Sequence, residues 1–285
     1  MKQKLEPTII KRNNYQFDWG TKTYVMGILN VTPDSFSDGG EFNQTTSALD
    51  RAQKMIQNGV DIIDIGGQST RPGAEQISLE EELNRVIPII KAIRQQENIP
   101  ISIDTTSAEV ARTAIEAGAD IINDISGGTY DENMFSIAAQ LEVPIILMHI
   151  KGTPQTMQSL TNYQNLIVEI KDFLEQQINK AIAYKIRPSN IIIDPGIGFA
   201  KNVSQNLQLI QQLAQFKTLN SPILIGVSRK SFIGKITGRN NPKDRVWGTA
   251  AACCGAIANG ADIIRVHDVS SMYDVAKVAD AIWRN

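Results

Sequence analysis

Cysteine is nearly absent from this chain: 285 residues contain two, Cys253 and Cys254, side by side in an Ala-rich stretch of helical pattern. Neighbours on one helix cannot staple distant segments, so a disulfide scaffold is excluded and a reducing compartment is favoured. Both read as small buried helix residues. An excess of one charge is lacking too. The net charge of −2 and pI near 5.8 argue against nucleic acid or an anionic membrane as the main partner. No apolar run reaches a membrane-spanning length, and the N-terminus lacks the apolar core of a signal peptide. A soluble, cytoplasmic protein is expected. No linker-like run divides the chain, so residues 1–285 are expected to form a single domain. With 42% apolar and 20% charged residues, that domain has the material for a substantial core.

What is present is a repeat. Asn58-Gly-Val-Asp-Ile-Ile63, Ala117-Gly-Ala-Asp-Ile-Ile122 and Asn259-Gly-Ala-Asp-Ile-Ile264 each read as a helix end, a glycine stop and entry into a buried strand. Each then runs into different polar residues: Asp64, Asn123-Asp124, and Arg265 with His267. β-branched runs predict strands at Tyr24–Asn30, Asp61–Ile65, Ile99–Asp104, Asp120–Asp124, Pro144–His149, Asn190–Asp194, Pro222–Val227 and Asp262–His267. Helical periodicity falls between them, at segments such as 45–58, 79–96, 107–117, 162–186, 204–215 and 243–259. Eight strands with intervening helices predict an α/β fold, a (β/α)8 TIM barrel. The rival, an open doubly wound sheet, is disfavoured by the strand count and by the lack of a Gly-rich phosphate loop after the first strand. Residues 1–23 are expected to be an N-terminal hairpin extension that turns at Asn13-Asn14 and floors the barrel. Tryptophans 19, 247 and 283 read as packing residues.

Long stretches rich in Gly, Pro, Ser and Thr at 31–44, 66–77, 150–161 and 229–242 all follow strand ends, and so share one rim of a barrel. Around that rim stand Asn30, Asp64, Asp104, Asn123, His149, Asp194, Ser228-Arg229-Lys230-Ser231, Arg265 and His267. Singly, each has an ordinary explanation: Asp104 before Thr-Thr-Ser107 reads as a helix cap, and His149 as packed beneath a loop. As a set they sort into two halves. Asp104, Asn123 and Asp194 suit a flat heterocycle with an edge of N–H donors, with Lys230 at a carbonyl or ring nitrogen. Arg265 and His267, with Asn30 opposite, suit phosphate, and Ser231 stands where a helix N-terminus would hold a small anion.

The motifs resemble one family. Asn30-Val-Thr-Pro-Asp-Ser-Phe-Ser-Asp-Gly-Gly40 is similar to the first signature of the dihydropteroate synthases, and Gly66-Gly-Gln-Ser-Thr-Arg-Pro-Gly73 to the second. Asp104-Thr, Ile122-Asn-Asp-Ile125, Met148-His-Ile-Lys-Gly-Thr-Pro154, Asp194-Pro-Gly-Ile-Gly-Phe199, Ser228-Arg-Lys-Ser231 and Arg265-Val-His267 follow in the family's order. The resemblance implies a folate-pathway transferase. It would join p-aminobenzoate to 6-hydroxymethyl-7,8-dihydropterin diphosphate, giving 7,8-dihydropteroate and pyrophosphate. Asp104, Asn123, Asp194, Lys230 and Phe199 would hold the pterin. Asn30, Thr70, Arg265 and His267 would hold the diphosphate, with Mg2+ on Asn30. Phe36, Arg71, Pro72 and Ser231 would frame p-aminobenzoate. Asp104, Lys230, Arg265 and His267 would carry the catalysis. Dimers are common in the family, so a homodimer is expected, while sulfonamide binding depends on the loop residues Phe36 and Pro72. Gln68, Ile197 and Ala200 stand where many members have Glu, Phe and Gly.

The resemblance further implies a dissociative path, with Asp104 as a fixed counter-charge to a pterin cation. A methyltetrahydrofolate-binding methyltransferase barrel would share the Asp/Asn/Asp pocket, but it needs no diphosphate clamp. A binding-only relative would not need the leaving-group residues. An aldolase barrel would need a lysine inside the barrel, whereas Lys230 follows a strand end.

Overall fold

The computed structural model describes residues 5–12, 14–32, 41–70 and 73–284, with residues 41–44 described by their backbone. Phe36, Arg71, Pro72 and Asn13 therefore lie outside the described residues. Two short strands, β1 (Thr8–Ile10) and β2 (Tyr15–Phe17), pair antiparallel. They precede eight parallel strands: β3 (Tyr24–Asn30), β4 (Ile62–Gly66), β5 (Ile101–Asp104), β6 (Ile121–Asp124), β7 (Ile145–Met148), β8 (Ile191–Asp194), β9 (Leu224–Ile225) and β10 (Ile263–Val266). Pairing runs β8-β7-β6-β5-β4-β3-β10-β9. A single bridge between Ile193 and Ile223, with the Ile193 N–H donating to Pro222 O at 2.9 Å, closes the ring. The (β/α)8 barrel expected from the sequence is the observed fold.

The repeat has a structural task in each copy. Its glycines, Gly59, Gly118 and Gly260, all have φ between +83° and +127°, the left-handed region that ends a helix and that side chains avoid. Its aspartates clamp each entering strand to the one before it in the chain. Asp61 Oδ2 accepts from the Val25 N–H at 2.8 Å, Asp120 Oδ2 from Ile101 at 2.9 Å, and Asp262 Oδ2 from Ile223 at 3.0 Å. In return each aspartate N–H donates to the carbonyl of that same residue. Two bonds per pair set the register of β4 on β3, β6 on β5 and β10 on β9, and a slip would invert every side chain after it.

Period-two alternation then divides each strand. Val25, Leu29, Ile63, Ile65, Ile101, Ile103, Ile122, Ile145, Leu147, Ile191, Ile193, Ile225 and Ile264 pack outward into the core shared with the helices. Tyr24, Met26, Ile62, Ile121, Ile146, Ile192, Leu224 and Ile263 form an inner layer that Ile10, Phe17 and Trp19 of the hairpin region seal from below. Phe17 stacks on Trp19 at 5.3 Å, Tyr24 meets both rings edge-on, and Trp19 Nε1–H donates to Thr8 Oγ1 at 3.1 Å. The hairpin is the floor, as expected. The next inward position on each strand is therefore free to be polar.

Helices α1 (Glu41–Gln57), α2 (Leu79–Gln96), α3 (Ala108–Ala117), α5 (Leu166–Ala183), α6 (Val203–Gln211) and α8 (Val246–Ala258) correspond to the expected segments. Three more, α4 (Met134–Leu141), α7 (Ser231–Thr237) and α9 (Val269–Trp283), were not among them. The stretch 229–242 is thus no plain loop, because α7 occupies its middle. Trp19 packs as expected, but Trp247 is 82% exposed and Trp283 46% exposed, so neither is a core residue. Among the described residues, no helix is long and apolar enough to cross a membrane.

Candidate active site

The polar inward positions meet at the C-terminal ends of the strands. β3 pairs Asn30 with Gly66, β4 pairs Gly66 with Asp104, and β5 pairs Asp104 with Asn123, so three predicted residues stand level across four successive strands, with Gly66 between Asn30 and Asp104. Gly66 lies between the first two: a Cβ there would be in ordinary contact with both, 3.6 Å from Asp104 Oδ2 and 3.8 Å from Asn30 Oδ1. A cavity of about 550 Å3 is lined by Asn30, Thr70, Asn123, Asp194, Phe199, Lys230, Ser231, Arg265 and His267. Asp104 borders an adjoining space of about 340 Å3, with Thr70 and Ile125 shared by both. Every described residue expected at the site is thus brought to one place.

Arg265 departs from the expected division into halves. It spans both: Nε donates to Asp64 Oδ2 at 2.6 Å and Nη2 to Asp104 Oδ2 at 2.6 Å. Despite the desolvation that burial imposes, these two carboxylates raise its pKa further. Burial raises Asp104 to about 7, opposed by Arg265 and reinforced by Asp64, Glu82 and Asp124. Helix capping is not its role, since Ser107 caps α3 through the Val110 N–H. Asp194 Oδ1 accepts from the Gly196 N–H at 2.7 Å, and burial raises this carboxyl to about 6 against that bond and the nearby Lys230, Lys201 and Arg265.

Lys230 Nζ lies 4.1 Å from the Phe199 ring centroid, a cation–π contact on the pocket wall. Burial lowers it to about 8, helped by Arg265 and countered by Asp194 and Asp104. Lys230 is also the N-cap residue of α7, and exposed Ser231 opens that helix at the cavity mouth. Arg229 holds a left-handed backbone (φ 58°) and is fixed by paired bonds to both Asp268 oxygens, 2.9 and 2.5 Å. His267 Nδ1 lies 3.0 Å from Ser228 Oγ, and burial with Arg229 and Arg265 lowers its pKa to about 3. It is therefore a neutral hydrogen-bonding group in the protein alone, not a carrier of charge.

His149, on the expected rim, does not join the cavity lining. It is buried at 2% exposure, edge-on to Phe173 at 5.0 Å, with Nδ1 3.1 Å from Lys201 Nζ. Lys201, 3% exposed, also donates to Phe199 O at 2.8 Å and so holds the Phe199 loop from behind. Gly196 makes that loop possible: φ is +76°, and a Cβ would sit 2.0 Å from His149 O. Ala200 has a left-handed φ of 51°, which explains why glycine often stands there in the resembled family. Sequence reasoning set Asp64 and Ser228 on the rim without giving either a task, and it missed Lys201 and Asp268 as supports of the site. Asp64 alone carried a signal, since it occupies the same position after the repeat as Asn123 and Arg265.

Asn30 is half-buried on the cavity wall, and among the described residues its amide makes no hydrogen bond. No group of three or more His, Cys, Asp or Glu able to hold a metal occurs among the described residues. One neutral amide oxygen fits a Mg2+ ion that arrives with a diphosphate and keeps water in its shell, rather than an all-protein cage.

A barrel with this carboxylate-and-amide pocket beside an arginine and a histidine defines a class. Residues 26–267 match the pterin binding enzyme family, and the chain belongs to it. The dihydropteroate synthase of Synechocystis is 62% identical over 94% of this chain and 93% of its own length. The Clostridium difficile dihydropteroate synthase, solved in the presence of pteroic acid, superposes with a TM-score of 0.90 at 44% identity, covering 94% of this chain and all of that one (100%). The Yersinia pestis enzyme in its sulfonamide complex gives 0.91 at 39% identity, covering 97% and 99%.

Proposed function

We propose that this protein is a dihydropteroate synthase, forming 7,8-dihydropteroate and pyrophosphate from 6-hydroxymethyl-7,8-dihydropterin diphosphate and p-aminobenzoate. The observation that carries the reading is Arg265: one guanidinium, anchored on Asp64, ties the pterin-side Asp104 to the wall where Asn30, Ser228 and His267 stand. A protein that only bound pterin would not need that second wall. A methyl-transfer barrel would not either.

Asp104, Asp194 and Asn123 receive the donor edge of the pterin, and Lys230 over Phe199 covers its ring. The methylene C–O bond breaks and its electron pair leaves with pyrophosphate. The cation left on the pterin is balanced by Asp104, a charge fixed in place before the reaction. The lone pair of the arylamine then forms the C–N bond, so no base acts before attack, and the surplus proton leaves with the solvent or pyrophosphate. Arg265 and His267 orient the diphosphate. Asn30 would hold Mg2+, which would supply charge neutralisation of the leaving group. Phe36, Arg71, Pro72 and Ser231 complete the p-aminobenzoate side in this reading, and a sulfonamide competes there.

The reading includes a homodimer and a reducing, cytoplasmic location. Ile236 on α7, Trp247 on α8, and Val278 and Ile282 on α9 are 56–82% exposed apolar side chains, and α8 packs against both of the other helices; association would cover such residues. The free, buried Cys253 accords with the reducing location. The test of the synthase is pyrophosphate release by purified protein with the pterin diphosphate and Mg2+. Release that requires p-aminobenzoate is expected, and pterin binding without release would end the reading.

A further inference from the structure

The fourth residue of each repeat, counted from its aspartate, is Asp64, Asn123 and Arg265, and these three side chains meet. Asp64 is fully buried at the centre. Its Oδ2 accepts from Arg265 Nε at 2.6 Å, while Asn123 Nδ2 lies 3.2 and 3.4 Å from its two oxygens. A carboxylate paired with arginine offers only acceptors, so the amide must turn its NH2 toward Asp64 and its carbonyl away. Among the described residues no donor takes Asn123 Oδ1, and none accepts from Arg265 Nη1.

We infer that Asp64 is a positioning residue for the synthase reaction, setting at once the acceptor face of Asn123 toward the pterin and the aim of Arg265 toward the diphosphate. It touches neither substrate. Through Asn123 it makes the pocket selective for a ring edge that presents N–H donors, because an amide turned the other way would offer a donor to a donor. Through Arg265 it commits Nε while Nη2 is taken by Asp104, leaving the Nη1 hydrogens for the anion. One buried carboxylate thus couples two half-sites contributed by three strands.

The inference rests on the synthase reading, and its test separates the two. Asp64→Asn keeps shape but removes the charge and the acceptor-only character. It is expected to lower kcat/KM for the pterin diphosphate on the order of 10–100-fold, the scale on which supporting partners act. Binding of 6-hydroxymethylpterin, followed by calorimetry, is expected to weaken about tenfold, with the KM for p-aminobenzoate and the Tm retained. In an Asn123→Ala background the same change is expected to add less than about threefold to the loss of 6-hydroxymethylpterin, because coupled residues are not additive. Unchanged 6-hydroxymethylpterin binding, additive losses, or an equal loss toward p-aminobenzoate with a fallen Tm would each overturn the inference. Asp64→Ser, small and neutral, serves the same comparison should the amide variant not fold. If wild type binds 6-hydroxymethylpterin without releasing pyrophosphate, the synthase reading fails while the binding cycle still decides the role of Asp64.

Discussion

Asp104 must carry its charge where burial opposes it. Raised to about 7, it is neutral below that pH and cannot balance a cation. Lys230, lowered to about 8, is neutral above that pH and in the proposed reading would lose its hold on the pterin ring. The carboxylate must be deprotonated and the ammonium protonated, so kcat/KM for the pterin diphosphate, which reports the free enzyme, is expected to peak between about pH 7 and 8. Asp104→Asn is expected to erase the acid limb and cost the chemical step at least ~2–4 kcal/mol. A flat profile from acid to alkaline pH, or near-normal turnover in the variant, would remove Asp104 from its role. Most site residues were legible because they end strands in the inward phase: Asn30, Asp104, Asn123, Asp194 and Arg265. Their partnerships were not. Nothing in the letters says that Arg265 reaches across to Asp64 and Asp104, because that contact joins residues 201 and 161 positions apart.

At the scale of elements, the repeat aspartates are the joints. Asp120 accepts from the Ile101 N–H and pairs with Arg94 at 2.5 Å while 3% exposed. Asp120→Ala would leave the buried Ile101 N–H without its acceptor and Arg94 without its carboxylate, with only the Gly118 and Glu97 carbonyls still on the guanidinium, so a loss of roughly 3–5 kcal/mol in urea unfolding is expected. Asp120→Asn, which keeps an acceptor, is expected to lose less. A loss below ~1 kcal/mol for the alanine variant would mean that the strand pairs hold register without the clamp. Strand positions were legible from β-branched runs, and the limits of β3 agree at both ends. β9 was not: six residues, Pro222–Val227, read as strand, but only Leu224–Ile225 pair as one. An apolar run reports burial, and burial inside a barrel does not require a full ladder on both sides. α7 escaped notice because its seven residues, rich in Ser, Gly and Thr, carry almost no helical pattern.

At the scale of the molecule, the surface of α7, α8 and α9 asks for a cover. Trp247 is the most exposed large apolar side chain described, at 82%. Trp247→Glu is expected to shift the protein from dimer to monomer in sedimentation at micromolar concentration, with little change in unfolding free energy beyond the dimer term. A wild-type monomer at that concentration would remove the dimer from the proposal. The barrel ring also has one thin place, the lone bridge between β8 and the short β9. Asp194 stands on one bank of it and Lys230 on the other, and both line the cavity. A pterin held by both, as proposed, would be a suture as well as a substrate. It would tie from within a seam that the backbone closes with a single bridge.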